Sequence, residues 1–210
     1  MDIRMLLKKM TLSVIFCFSV YAGVLLADEQ STLTPKVALS HIKQAMSKVE
    51  EIRANFVQEK HLSLFEHTLI ISGNLEIKFP HYFKWVVSSP LKSEIIADGD
   101  TVTTWDEETD QKVTMSVKSN PVIKNIWTQI DSWFLGKYDI LAKSYAISIK
   151  SDKPLVLTFV PNSKPLSAAV KKITVYFRED KKYLQKVILE EVGGDSTVMK
   201  FSNIKIKESL

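Results

Sequence analysis

The sequence has a single cysteine, Cys17, set in an apolar stretch near the N-terminus. One thiol allows neither an internal disulfide nor a cysteine-based metal site, so the fold must be held by its own core. Bulky Phe16 before it and apolar residues after it make Cys17 a poor point of lipid attachment. Histidine is almost as scarce. The four present, at positions 41, 61, 67 and 81, form neither a helical ligand pair nor a close zinc-type cluster, and they read as surface residues. There is no G-x-S-x-G elbow and no glycine-rich loop to cradle a phosphate. The adjacent acids Glu107-Glu108 and Glu190-Glu191 sit in turn or solvent-edge contexts, without the burial that raises one carboxyl pKa for acid–base work. These absences point away from an enzyme and from any metal or cofactor.

Charge is also unremarkable. The formal net charge is +4, and the lysines are spread along the chain rather than gathered into a phosphate-binding patch, so nucleic acid is not an expected partner. The N-terminus, by contrast, is strongly patterned. Arg4, Lys8 and Lys9 precede an apolar run from Thr11 to Leu26, and Ala27 stands before acidic Asp28-Glu29. That order is a secretory signal peptide over residues 1–27, with cleavage after Ala27. The apolar run is short for a membrane span of about 20 residues. Residues 28–210 show no internal repeat, low-complexity tract or linker and read as one domain, long enough to bury a substantial core.

Within that domain, Thr34-Pro35 reads as a helix cap followed by a first-turn proline. Ala38, Ile42, Ala45, Val49 and Ile52 then recur at helical spacing. From Arg53 the period changes to two. Strands are expected over 55–64, 68–79, 82–87, 94–97, 101–105 and 113–117, with Asp98-Gly99 as a hairpin turn and 106–110 as a polar turn. A second helix is expected from Asn120 to Gly136, with Ile123, Ile126, Trp127, Ile130, Trp133 and Phe134 on its apolar face. Further strands follow at 145–149, 155–160, 170–177, 183–191 and 197–206. The expected fold is mainly β with a few helices. It is a strongly curved antiparallel sheet, or incomplete β-barrel, with helices plugging or lidding the concave side.

The stretch "GNLEIKFPHYFKW", from Gly73 to Trp85, carries an unusually apolar sheet face: Leu75, Ile77 and Phe79, then Phe83 and Trp85 beyond Pro80. By the residues alone this stripe fits a filled core as well as the lining of a pocket.

The order of motifs resembles that of the periplasmic outer-membrane lipoprotein carriers, the LolA-like family, over nearly all of residues 28–210. The similar segments are "ANFVQEK", "GNLEIKFPHYFKWVVSSP", "IIADGDTVTTWDEETDQ", "LTFVP" and "GDSTVMKFSNIKI". Phe56 and Gln58 match the family's F-x-Q; Gly73, Pro80, Phe83, Trp85 and Pro90 match its next segment, and Asp98-Gly99 its D-G turn. The resemblance implies an open antiparallel barrel lidded by helices, whose cavity takes the acyl chains of lipoproteins.

Two departures mark a divergent member. Carriers of lipoproteins usually have an arginine just before the proline, where it hydrogen-bonds the lid, and here that position is Phe79. The family's C-terminal extension also has no counterpart after "FSNIKI".

The expected function is that of a non-enzymatic, monomeric periplasmic carrier. It would bind lipoprotein acyl chains or another lipidic cargo, receive it from an inner-membrane donor and pass it to an outer-membrane acceptor. The expected lining is Phe56, Leu75, Ile77, Phe79, Phe83 and Trp85, faced by Ile126, Trp127 and Ile130. The alternative is a regulatory domain of the same fold that senses lipid or misfolded protein.

Overall fold

In a computed structural model, the described residues are 33–64, 67–119, 132–133 and 137–209, and they belong to one compact unit, Ser31–Leu210. Helix α1 (Pro35–Met46) opens as its sequence dictates. Thr34 is extended, its side chain accepts the Val37 N–H at 3.4 Å, and Pro35 occupies the first turn. Ala38 and Ile42 are its buried residues.

The helix ends at Met46, earlier than the apolar spacing predicts, and Val49 and Ile52 belong instead to strand β1 (Val49–His61). Both are nevertheless in the core. The cause is a register shift between Val49 and Glu51 against the last strand. One extra residue in a strand brings positions three apart to the same face, which imitates helical spacing in the sequence.

The other strands fall close to their predicted places. They are β2 (Leu69–Lys78), β3 (Tyr82–Ser89), β4 (Ser93–Asp98), β5 (Thr101–Asp106), β6 (Lys112–Ser116), β7 (Tyr145–Asp152), β8 (Leu155–Pro161), β9 (Val170–Phe177), β10 (Leu184–Glu191) and β11 (Ser196–Glu208). Two single-turn helices, α2 (Tyr138–Leu141) and α3 (Lys164–Ser167), precede β7 and β9. Of the predicted Asn120–Gly136 helix only Ser132 and Trp133 lie among the described residues.

All eleven strands form one antiparallel sheet in the order β6-β5-β4-β3-β2-β1-β11-β10-β9-β8-β7. Two meanders are thus zipped together where β1 meets β11. β6 and β7 are the outer edges and do not pair, so the sheet is unclosed. Buried residues as far apart across it as Val102 of β5 and Tyr145 of β7 share one apolar cluster with Ala38 and Ile42 of α1. The sheet therefore wraps around a single interior.

Turn chemistry fixes the hairpins. Gly99 starts the β4–β5 bend at φ 55°, a region that suits glycine, and its N–H donates to the His81 carbonyl at 3.1 Å. In the next turn the Asp106 carboxylate accepts the N–H and hydroxyl of Thr109 at 2.9 and 3.0 Å. Asp195, in the β10–β11 turn, accepts the N–H and hydroxyl of Ser63 at 2.7 and 2.8 Å, tying that turn to the end of β1.

Candidate functional site

Side chains alternate across a strand, so each residue's face follows from its neighbours. Arg53 lies between buried Ile52 and Ala54, Glu76 between buried Leu75 and Ile77, and Lys84 between Phe83 and Trp85. These charges point outward and pair there: Arg53 with Glu76 at 3.0 Å and Lys84 with Glu94 at 2.7 Å. On the other half of the sheet Lys172 pairs with Glu190 at 2.9 Å. The outer face is solvated and carries these ion pairs, with Val57, Ile70 and Val160 exposed among its polar side chains.

The inner face carries two apolar rows that together run from edge to edge. Ile52, Ile77, Phe83, Ala97, Val102 and Met115 stand opposite one another in a row across β1 to β6. Met199, Val187, Val175, Leu157 and Ile149 make a matching row across β11 to β7. Gln58 of the F-x-Q motif sits at the seam of the second row, between Ile71 and Met199.

The residues singled out in the sequence fall into two layers. Phe56, Leu75, Ile77 and Phe83 are each no more than 2% exposed and make the sealed layer. Trp85 and Phe79 are only partly buried, packed on that layer with surface to spare. Phe56 lies opposite Gly73, and its ring occupies the space a side chain there would need. It stacks on Trp85 with ring centroids 3.8 Å apart, and Trp85 continues to Phe83 at 6.2 Å. Ile126, Trp127 and Ile130, the residues expected to face them, lie outside the described residues.

Other partly buried side chains share this face. They include Ile71, Val87, Ile95, Met115, Ile149 and Val187, all packed against the cluster with residual exposure. Their signal was in the sequence as period-two alternation, but it does not separate a sealed side chain from one at a surface.

At the β7 end, Trp133 packs edge-on against Tyr145 and Phe159 at centroid distances of 5.7 and 5.0 Å. Tyr138 of α2 meets Phe177 in the same manner at 5.7 Å. Between α1 and β7 runs a groove of about 590 Å³, lined by Pro35, Lys36, Leu39, Ser40, Lys43, Tyr138, Ala142, Tyr145 and Ile147. Burial raises the Tyr138 phenol far above its usual range. Burial, and secondarily the nearby Tyr138, does the same to Tyr183, whose hydroxyl has no hydrogen-bond partner among the described residues. Both phenols therefore stay neutral in the physiological range. Among the described residues no three histidine, cysteine, aspartate or glutamate side chains are grouped to hold a metal ion. The arrangement offers apolar surface and neutral hydroxyls, which suits binding.

Comparison with known proteins adds relatives to this geometry. A protein of Wigglesworthia glossinidia brevipalpis named outer-membrane lipoprotein carrier protein is 26% identical over 190 residues, covering 88% of this chain and 79% of that one. One of the same name from Francisella tularensis is 30% identical over 114 residues, covering 54% of this chain and 50% of its own length. The match thus spans about half the length of the Francisella relatives.

Among solved structures, the Mycobacterium tuberculosis lipoprotein LppX shares 15% identity with a TM-score of 0.49, over 84% of this chain and 98% of that one. For MucB the values are 13% and 0.47, over 83% and 59%. The family described as outer membrane lipoprotein carrier protein LolA matches residues 47–210. That span begins just before β1 and takes in every strand of the sheet, and the chain belongs to the LolA family.

Proposed function

We propose that this protein is a non-enzymatic carrier that shelters the acyl chains of lipoproteins, or another lipidic cargo, against the inner face of the open sheet. The observation that carries the reading is the contrast between the sheet's two faces. The outer one mixes ion pairs with single exposed apolar side chains such as Val57 and Ile70, while the inner one gathers partly exposed apolar side chains, Trp85, Val87 and Ile95 among them, above a sealed layer. Such surface is costly to leave wet and is matched by a ligand whose own exposure costs about 0.8 kcal/mol per methylene. Family membership supports the same reading.

In this reading residues 1–27 are a signal peptide, and residues 28–210 form one monomeric carrier domain that works in the periplasm. It takes cargo from an inner-membrane donor and delivers it to an outer-membrane acceptor. Phe79 and Trp85 contact the cargo directly, and Phe56, Leu75, Ile77 and Phe83 support them from beneath.

Purified protein is expected to bind a lipophilic fluorophore and to release it when acyl-chain ligands are added. An Ile95→Glu variant, with its fold checked by circular dichroism, should bind at least ten-fold more weakly, because the tail would then meet a charge. Absence of any displaceable binding by the unaltered protein would overturn the reading. N-terminal sequencing of periplasmic material should begin at or within a few residues of Asp28, and an intact Met1 on a membrane-bound product would contradict the periplasmic placement.

A further inference from the structure

The groove between α1 and β7 differs in character from the sheet interior, because its rim is cationic. Leu39, Ala142, Tyr145 and Ile147 supply apolar walls, and Lys36 and Lys43 stand on the α1 side. The two lysines are seven residues apart on a regular helix, so they lie on one face about 10 Å from each other along the axis. Their long side chains reach far enough to converge on one small group. Both are exposed, and among the described residues neither has an ion-pair partner and none that lines the groove is acidic. Lys84 and Lys172, on the outer face of the sheet, by contrast each have a glutamate within 3 Å. Lys36 is also placed against the field of its own helix. It sits in the first turn of α1, which contains no acidic residue, at the end where the helix dipole favours negative charge. An anion at the groove mouth would relieve that placement and pair both lysines.

The geometry points to a ligand of one chemical class for this groove: a single-tailed amphiphile with an anionic head. Its phosphate or carboxylate lies between Lys36 and Lys43, and its tail runs past Leu39 towards Tyr145 and Ile147. The volume of about 590 Å³ is that of a site for one small ligand. This deepens the carrier reading and rests on it, since it gives the carried lipid a preferred headgroup charge.

The test compares lysophosphatidylglycerol with lysophosphatidylcholine of the same chain length, each below its micelle concentration, by displacement of a lipophilic fluorophore. The expected result is about five-fold tighter binding of the anionic lipid at low salt, the size that two solvent-exposed charge contacts provide, with the preference shrinking as salt rises. The Lys36→Ala/Lys43→Ala variant should lose the preference and bind the two lipids about equally. A charge-matched Lys112→Ala/Lys205→Ala control, altered on the outer face, should keep it. Millimolar inorganic phosphate without a tail should not displace the fluorophore; displacement by phosphate alone would make this an anion site and overturn the lipid assignment. Equal affinity for the two lipids, or a preference that survives in the Lys36/Lys43 variant, would overturn the headgroup inference and leave the carrier reading standing. Failure of both lipids to bind would remove the two together.

Discussion

A methyl group on Gly73 would stand 1.8 Å from the Val86 carbonyl oxygen and 2.9 Å from two atoms of the Phe56 ring. Neither neighbour can yield easily, as one is backbone and the other is a sealed aromatic stacked on Trp85. Gly73→Ala should therefore cost on the order of 3 kcal/mol, which for a chain of this size lowers Tm by about 6–12 °C. A melt within a degree or two of the unaltered protein would show that the Phe56–Trp85 stack is looser than its geometry indicates.

Phe79 poses the opposite test. It is partly buried against the core, and Phe79→Arg exchanges that contact for a charge at the position where relatives of this family usually carry arginine. Loss of about 1–2 kcal/mol is expected, read as a lower melting temperature. An unchanged or raised value would mean that hydrogen-bond acceptors for an arginine persist there. Tyr183→Phe removes a buried hydroxyl without a partner among the described residues and should leave stability unchanged or raise it by about 1 kcal/mol. A clear loss in thermal melts would instead reveal a partner for that hydroxyl.

Turns between strands carry much of the polar order, and they make the elements sensitive to acid. The N–H and hydroxyl of Ser63 hold the Asp195 carboxyl below its usual range, as the N–H and hydroxyl of Thr109 do for Asp106. For Glu76 burial acts upward, but the bonds and charges of Lys78 and Arg53 outweigh it and the net direction is down. A carboxyl depressed in the folded state adds stability at pH values above its unfolded pKa and loses it as pH falls through the folded one. Stability is thus expected to be flat through neutral pH and to fall below about pH 4. Asp195→Asn should reduce the difference between urea midpoints measured at pH 7 and pH 3, and an undiminished difference would remove Asp195 from the account.

The elements themselves were largely legible in the sequence. Strand positions followed from alternation, and α1 began where Thr34-Pro35 predicts. The boundary between α1 and β1 was misread because Val49 and Ile52 share a face through a bulge, and the pairing of β1 with β11 outweighed the local spacing.

At the scale of the whole sheet, much less could be read in advance. Alternation identifies an inner face but not which strands adjoin, so Gln58 could not be placed beside Met199, nor Lys43 across a groove from Ile147. Those neighbours are set by pairings between residues far apart in the chain. The same holds for the division of the apolar stripe, where Leu75 is sealed and its cross-strand partner Trp85 is not.

The meeting of β1 with β11 at the middle of the sheet also imposes an order in time. As the chain is made, β2 through β6 can each pair with the strand before it, but β1 keeps one bare edge until the final strand arrives. Contacts between such distant segments are slow to form, because a long loop must close before they repay its entropy. Lasting structure is therefore deferred until synthesis is nearly finished. If residues 1–27 act as the proposed signal peptide, that delay keeps the chain extended and threadable until it has crossed a membrane, and the finished sheet forms only on the far side.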